Sequence, residues 1–166
     1  MIKLSHPRSG SHSKLSAMRP RDDHLEIRSA GPDDAVLIAP LLAQLGYTWE
    51  PAAIAARFAG LTSAGDTVLL ALRGGAAIGL ATLHATPVLH RPTSVGRVTS
   101  LVVADGARGQ GVGRALMAEA ERILTARGCG LIEVTSNRTR TDAHAFYEKL
   151  GYVATSFRFA KTIKRR

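Results

Sequence analysis

The stretch TSLVVADGARGQGVGRALMAEAERIL, Thr99 to Leu124, constrains this chain more than any other. An apolar run leads into a turn rich in glycine and arginine, and an amphipathic run follows. Within the turn, Gly109, Gly111 and Gly113 stand at every second position, with Arg108 before them and Arg114 after. The pattern predicts a strand, a tight turn and a helix. Glycine backbones reach conformations closed to other residues, and a helix N-terminus presents unpaired N–H groups at its positive end. Together these suit phosphate oxygens.

Composition narrows the class of partner. At 166 residues the chain is long enough for one domain with a full core. Hydrophobic residues are 45% and charged residues 21%, as expected of a soluble globular fold. No apolar run approaches the roughly 20 residues that span a bilayer, and the start lacks the apolar core of a secretory signal. The single cysteine, Cys129, excludes an internal disulfide framework and suits the cytoplasm. The formal charge of +9 gathers at the ends, with Lys3, Arg8, Lys14, Arg19 and Arg21 in front and Lys161, Lys164, Arg165 and Arg166 behind. Nucleic-acid surfaces interleave cations with aromatics, which are 5% of this chain and absent from its first 23 residues. Nucleic acid is therefore disfavoured, and an anionic small-molecule site is preferred.

Residues 1–23 have no hydrophobic period and read as a flexible basic extension. Pro7, Gly10 and Pro20 argue against an amphipathic transit peptide there. The folded domain is placed at residues 24–166. LEIRSA, Leu25 to Ala30, alternates as a strand. Pro32, Asp33 and Asp34 open a helix that stops at Gly46, with Pro40 expected to kink or divide it. A second helix is expected from Pro51 to about Leu61; nearby Tyr47, Trp49 and Phe58 belong either to the core or to the walls of a pocket. Gly74-Gly75 joins two strands as a hairpin, and Val95 to Ala104 is the next strand. Leu116, Ala120, Ile123 and Leu124 form the apolar stripe of the helix after the glycine turn. LIEVTSN reads as a strand, TDAHAFYEKLG as a capped helix, and YVATSFRFAKTI as one or two closing strands. Early hairpins and later helical crossovers imply a mixed sheet covered by helices.

The glycine turn admits three phosphate-loop readings. A Walker A loop needs Lys and then Ser or Thr after its last glycine, but Gly113 is followed by Arg114 and Ala115. A dinucleotide fingerprint starting at Gly109 needs a glycine where Arg114 stands, although Glu133 lies near the distance of a ribose contact. That fold also opens with its fingerprint, whereas this turn follows four predicted strands. The third reading fits: Arg108-x-x-Gly111-x-Gly113 between strand and helix resembles the acetyl-CoA pyrophosphate loop of the GNAT N-acetyltransferase superfamily. AHAFYEKLGY, Ala143 to Tyr152, resembles the A-x-x-F-Y-x-x-x-G-F/Y stretch of the same family. The resemblance covers about Leu25 to Ile163.

That resemblance implies an α/β GNAT-type fold, a mixed but mostly antiparallel sheet of six to seven strands flanked by about four helices. It implies acetyl-CoA as co-substrate and no metal. Arg108, Gly109, Gln110, Gly111, Val112, Gly113 and Arg114 would hold the pyrophosphate, and Leu101, Val102 and Val103 the pantetheine arm. Relatives often carry an asparagine where Arg140 stands here, so Asn137 is expected to serve from nearby. Arg138 and Arg140 add charge for a ribose phosphate or an acidic acceptor. The implied reaction is attack of an amine on the thioester in a ternary complex. The N–H of Leu101 or Val102 would stabilise the oxyanion, and Tyr147 would act as general acid. Many relatives place an acidic base where Thr99 and Ser100 stand, which cannot fill that role; Glu133 and His84 are the substitutes. The acceptor, a small molecule or a peptide amine, is expected against the first two helices, the turn around His90 and the last strands. Room is left for a homodimer, while membrane partners are not expected. The alternative is a module of the same fold that binds acyl-CoA without catalysis.

Overall fold

Alternating apolar residues and tight turns draw the early strands into an antiparallel meander. In the computed structural model, which describes residues 23–163, one sheet contains β1 (Leu25–Ser29), β2 (Thr67–Arg73), β3 (Ala76–Thr86), β4 (Ser94–Val103) and β5 (Cys129–Val134), in chain order. Neighbours run antiparallel as far as β4, and β5 lies parallel to β4. The β2–β3 hairpin turns on Gly74 and Gly75 with φ of 56° and 80°, the left-handed pair that matches strand twist. Apart from Asp23, the expected N-terminal extension lies outside the described residues.

Four helices cover the sheet. A 3-10 turn at Pro32–Asp34 leads into α1 (Ala35–Gln44), and α2 (Pro51–Ser63) follows. Pro40 does not divide α1. Pro40 and Val36 lie on the exposed side, so the Val36 carbonyl that loses its helical donor is open to solvent rather than buried unpaired. Ile38, Leu41, Ile54 and Phe58 pack on Leu70, Leu80 and Val102 from one face. On the other face, α3 (Val112–Ala126) lays Leu116, Met117, Ala120 and Leu124 against Ala81, Leu83 and Val98. The contact is close because the sheet offers glycine there: a Cβ at Gly79 would lie 2.9 Å from Leu116, and one at Gly96 equally near Leu124. From α4 (Thr141–Lys149), Phe146 and Tyr147 pack against this second core.

The sheet has five strands rather than six or seven. Among the described residues no strand follows α4. The alternation of YVATSFRFAKTI suits a strand, but a strand exists only where a neighbouring edge accepts its hydrogen bonds. Here Val153, Phe157 and Phe159 remain exposed, the last at 94%.

Candidate active site

The site begins as an irregularity in β4. Thr82 faces Ser100 and Leu83 faces Val98, so Thr99 is the extra residue of a bulge. Its hydroxyl donates to the Thr82 carbonyl at 3.2 Å. β4 pairs with β3 along this whole region, but with β5 only over Ser94–Val98. From Thr99 to Val103 the other edge of β4 has no strand beside it among the described residues, and the sheet opens there. Backbone groups that point into this gap need partners from outside the sheet. Leu101 and Val103 turn their side chains into the core under α3, as do Phe146 and Tyr147, whereas Val102 is buried on the opposite face.

The glycine turn closes the end of the cleft. Gly109 and Gly111 have φ of 74° and 81°, where a side chain is strained, and Gly111 caps α3. Gly113 instead permits close packing, since a Cβ there would lie 3.3 Å from Phe146 and 3.5 Å from Val103. Its lack of a side chain lets α4 and the end of β4 close on the start of α3. No side chain caps α3, so the N–H groups of Val112, Gly113 and Arg114 stay available at the positive end of the helix. Arg114 is exposed and takes part in none of the ion pairs among the described residues. Arg108 bonds Asp105 at 2.8 Å and the Val103 carbonyl at 3.3 Å. Gln110 donates to the Gly106 carbonyl at 2.9 Å and accepts from Arg73. Sequence reading missed Arg73, because the meander alone brings the β2 end to the turn.

On α4, the half-buried Tyr147 ring meets Phe146 and Tyr152 edge-on, at centroid distances of 5.2 and 6.0 Å. Burial raises its pKa, against a smaller opposing pull from Arg140. The phenol therefore keeps its proton at neutral pH. Tyr152 donates to Glu121 at 2.9 Å, whereas the Tyr147 hydroxyl has no hydrogen-bond partner among the described residues. Asn137 shapes the loop into α4: its side-chain oxygen accepts from Thr139 N–H and hydroxyl, both at 3.1 Å. Its carbonyl accepts from His144 Nε2 at 2.9 Å. Arg138 and Arg140 are exposed beside this loop.

The two candidate bases differ in their surroundings. Glu133 on β5 accepts from Arg97 of β4 at 2.9 Å, so its carboxylate is already engaged. His84 on β3 directs Nδ1 to Asp66 Oδ1 at 3.0 Å, which orients the ring and leaves Nε2 without a hydrogen-bond partner among the described residues. Asp66, just beyond α2, was not among the expected residues; only folding brings it to His84. Two positions before His84, on the same face of β3, Thr82 joins Thr99 and Ser100 at a cavity of about 290 Å³ beneath α1 and α2. Tyr47 and Trp49 form exposed walls, while Phe58 serves both core and cavity. Among the described residues, no group of three or more His, Cys, Asp or Glu could hold a metal ion. No helix among them is long and apolar enough to cross a membrane.

The sheet opens beside the glycine-rich start of α3, which sets a backbone edge next to an anion-binding helix N-terminus. Residues 37–152 match the Acetyltransferase (GNAT) family, and the chain belongs to that family. The family uses acetyl-CoA as co-substrate. Over 94 residues the chain is 40% identical to an aminoalkylphosphonate N-acetyltransferase of Salmonella typhimurium, a match covering 57% of this chain and 61% of that relative. A Trypanosoma brucei acetyltransferase superposes with a TM-score of 0.75 at 26% identity, over 84% of this chain and all of the other. The glucosamine-6-phosphate N-acetyltransferase of Arabidopsis thaliana, at 19% identity, shares the fold with a TM-score of 0.76 over 85% of this chain and 99% of its own.

Proposed function

We propose that this chain transfers the acetyl group of acetyl-CoA to a primary amine by direct attack in a ternary complex. The open edge of β4, set beside the uncapped start of α3, carries the reading. An extended pantetheine arm pairs with the free backbone groups of Leu101, Val102 and Val103 as an added strand would. The pyrophosphate takes the N–H groups of Gly109 to Arg114, including those of Gln110, Gly111, Val112 and Gly113, with the Arg108 and Arg114 guanidinium groups beside them. Asn137 holds the loop that borders the cofactor side.

In the reaction the amine nitrogen attacks the thioester carbonyl. A C–N bond forms, the C–S bond breaks, sulfur takes a proton and the nitrogen gives one up. The N–H of Leu101 or Val102 stabilises the oxyanion. Tyr147, with a free hydroxyl and a raised pKa, donates to the departing sulfur. His84, oriented by Asp66, takes the amine proton through water; Glu133 is less suited because Arg97 occupies it. A small acceptor agrees with the cavity beside Ser100 and with the Salmonella relative, whose name specifies an amine on an alkylphosphonate. The free buried thiol of Cys129 suits a reducing, cytoplasmic setting.

Thiol release from acetyl-CoA over a panel of small amines and peptides tests the proposal. Acceptor-dependent release is the expected result. Acetyl-CoA binding without release for any amine would favour the non-catalytic module, a reading supported by the missing acid at Thr99 and Ser100.

A further inference from the structure

The cavity beneath α1 and α2 is lined by two chemically different kinds of polar residue. Thr82, Thr99 and Ser100 line it where the sheet begins to split. Apolar side chains such as Ile54, Phe58 and Leu80 make up most of the remaining lining. Arg57 of α2 is, among the described residues, the one charged side chain lining the cavity, with no carboxylate beside it in the lining. Its guanidinium carbon sits 4.0 Å above the centroid of the Trp49 ring. None of the ion pairs among the described residues involves it.

We infer that Arg57 is an anion-recognising residue, and that the acceptor is a short amine carrying a phosphonate, carboxylate or sulfonate at the end remote from its nitrogen. The inference rests on the acetyl-transfer reading and deepens it. Stacking on Trp49 orients the guanidinium plane and restricts its rotamers, while its edge N–H groups remain free for a bidentate oxyanion. An anion held there directs the other end of a short alkyl chain towards Ser100 and the open edge of β4. A second positive charge on the acceptor would meet a cation with no carboxylate to offset it, so diamines are selected against. The apolar part of the lining accepts methylene groups but offers nothing to an extended peptide backbone.

The experiment compares thiol release by the full chain with 2-aminoethylphosphonate, β-alanine, propylamine and 1,3-diaminopropane as acceptors. Expected is a kcat/KM about 10-fold or more higher for the two anionic amines, from a charge-assisted bidentate contact. Arg57→Gln should remove that preference by raising KM for the two anionic amines about 10-fold, and Arg57→Lys should restore part of it. Acetyl-CoA affinity by calorimetry should be the same in all three proteins. Equal use of neutral and anionic amines, or an anionic preference that survives Arg57→Gln, overturns the role of Arg57 and leaves acetyl transfer standing. Release with no amine at all overturns the acetyl-transfer reading and this inference with it.

Discussion

Tyr147 and the glycines before α3 show how much a single residue carries here. Tyr147 lies on the apolar stripe of α4, yet its hydroxyl has no partner among the described residues, while the neighbouring Tyr152 is tied to Glu121. Tyr147→Phe keeps the ring packing and removes only the proton donor. It should lower kcat by about 100-fold, the lower range of general-acid effects, without changing the calorimetric affinity for acetyl-CoA. An equal loss in both would show a structural tyrosine. The active phenol is the protonated form, and burial raises its pKa. Activity that depends on it is therefore present below that value, and its alkaline loss comes only above the ordinary tyrosine range of about 10. At Gly111, with φ of 81°, alanine introduces strain of roughly 1–2 kcal/mol in the turn itself. Gly111→Ala should raise KM for acetyl-CoA about 10-fold with a smaller change in kcat, measured at saturating acceptor.

At the level of elements, the sequence foretold most of the architecture because its signals are local. Pro32, Pro51, Gly74-Gly75, Gly128 and Gly151 punctuate the chain where elements start or stop. The bulge at Thr99 and the split after Val98 were not legible as geometry, since register depends on β3 and β5 together. The same holds for the pairs Asp66–His84, Arg97–Glu133 and Arg73–Gln110, each joined by distant parts of the chain. A pair closer in sequence fastens the entry to α1. Arg28 donates two hydrogen bonds to Asp34, at 2.8 and 2.7 Å, and the Gly31 N–H adds a third at 2.9 Å. Hydrogen bonding from Arg28 outweighs burial and lowers the Asp34 carboxyl from 3.8 to about 2. A carboxyl whose folded pKa is depressed stabilises the fold above its unfolded pKa of about 4 and loses that contribution as pH falls towards 2. Allowing for solvent around Arg28, the contribution is on the order of 1–2 kcal/mol. Urea unfolding should show Asp34→Asn less stable than the parent by that amount at pH 7, with the gap closing as pH approaches 2.

At the scale of the whole molecule, two cores on opposite faces of the sheet serve different ends. The α3 and α4 side supports the cleft and the glycine turn, whose motifs are contiguous in sequence and could be read directly. The α1 and α2 side forms the cavity, which Arg57, Trp49 and Thr99 come to line only after folding, so the acceptor end was the least legible part. The closing strands failed for a related reason: alternation in YVATSFRFAKTI signals capacity to pair, not the presence of an edge. Both the proposed chemistry and the proposed acceptor depend on acetyl-CoA lying along the open edge of β4 and over the start of α3. Hydrogen exchange of the full chain with and without acetyl-CoA tests this directly. Slowed exchange concentrated in Thr99–Val103 and Gly109–Arg114, with β1 and β2 unchanged, is the predicted result; binding that leaves both segments unprotected would contradict it.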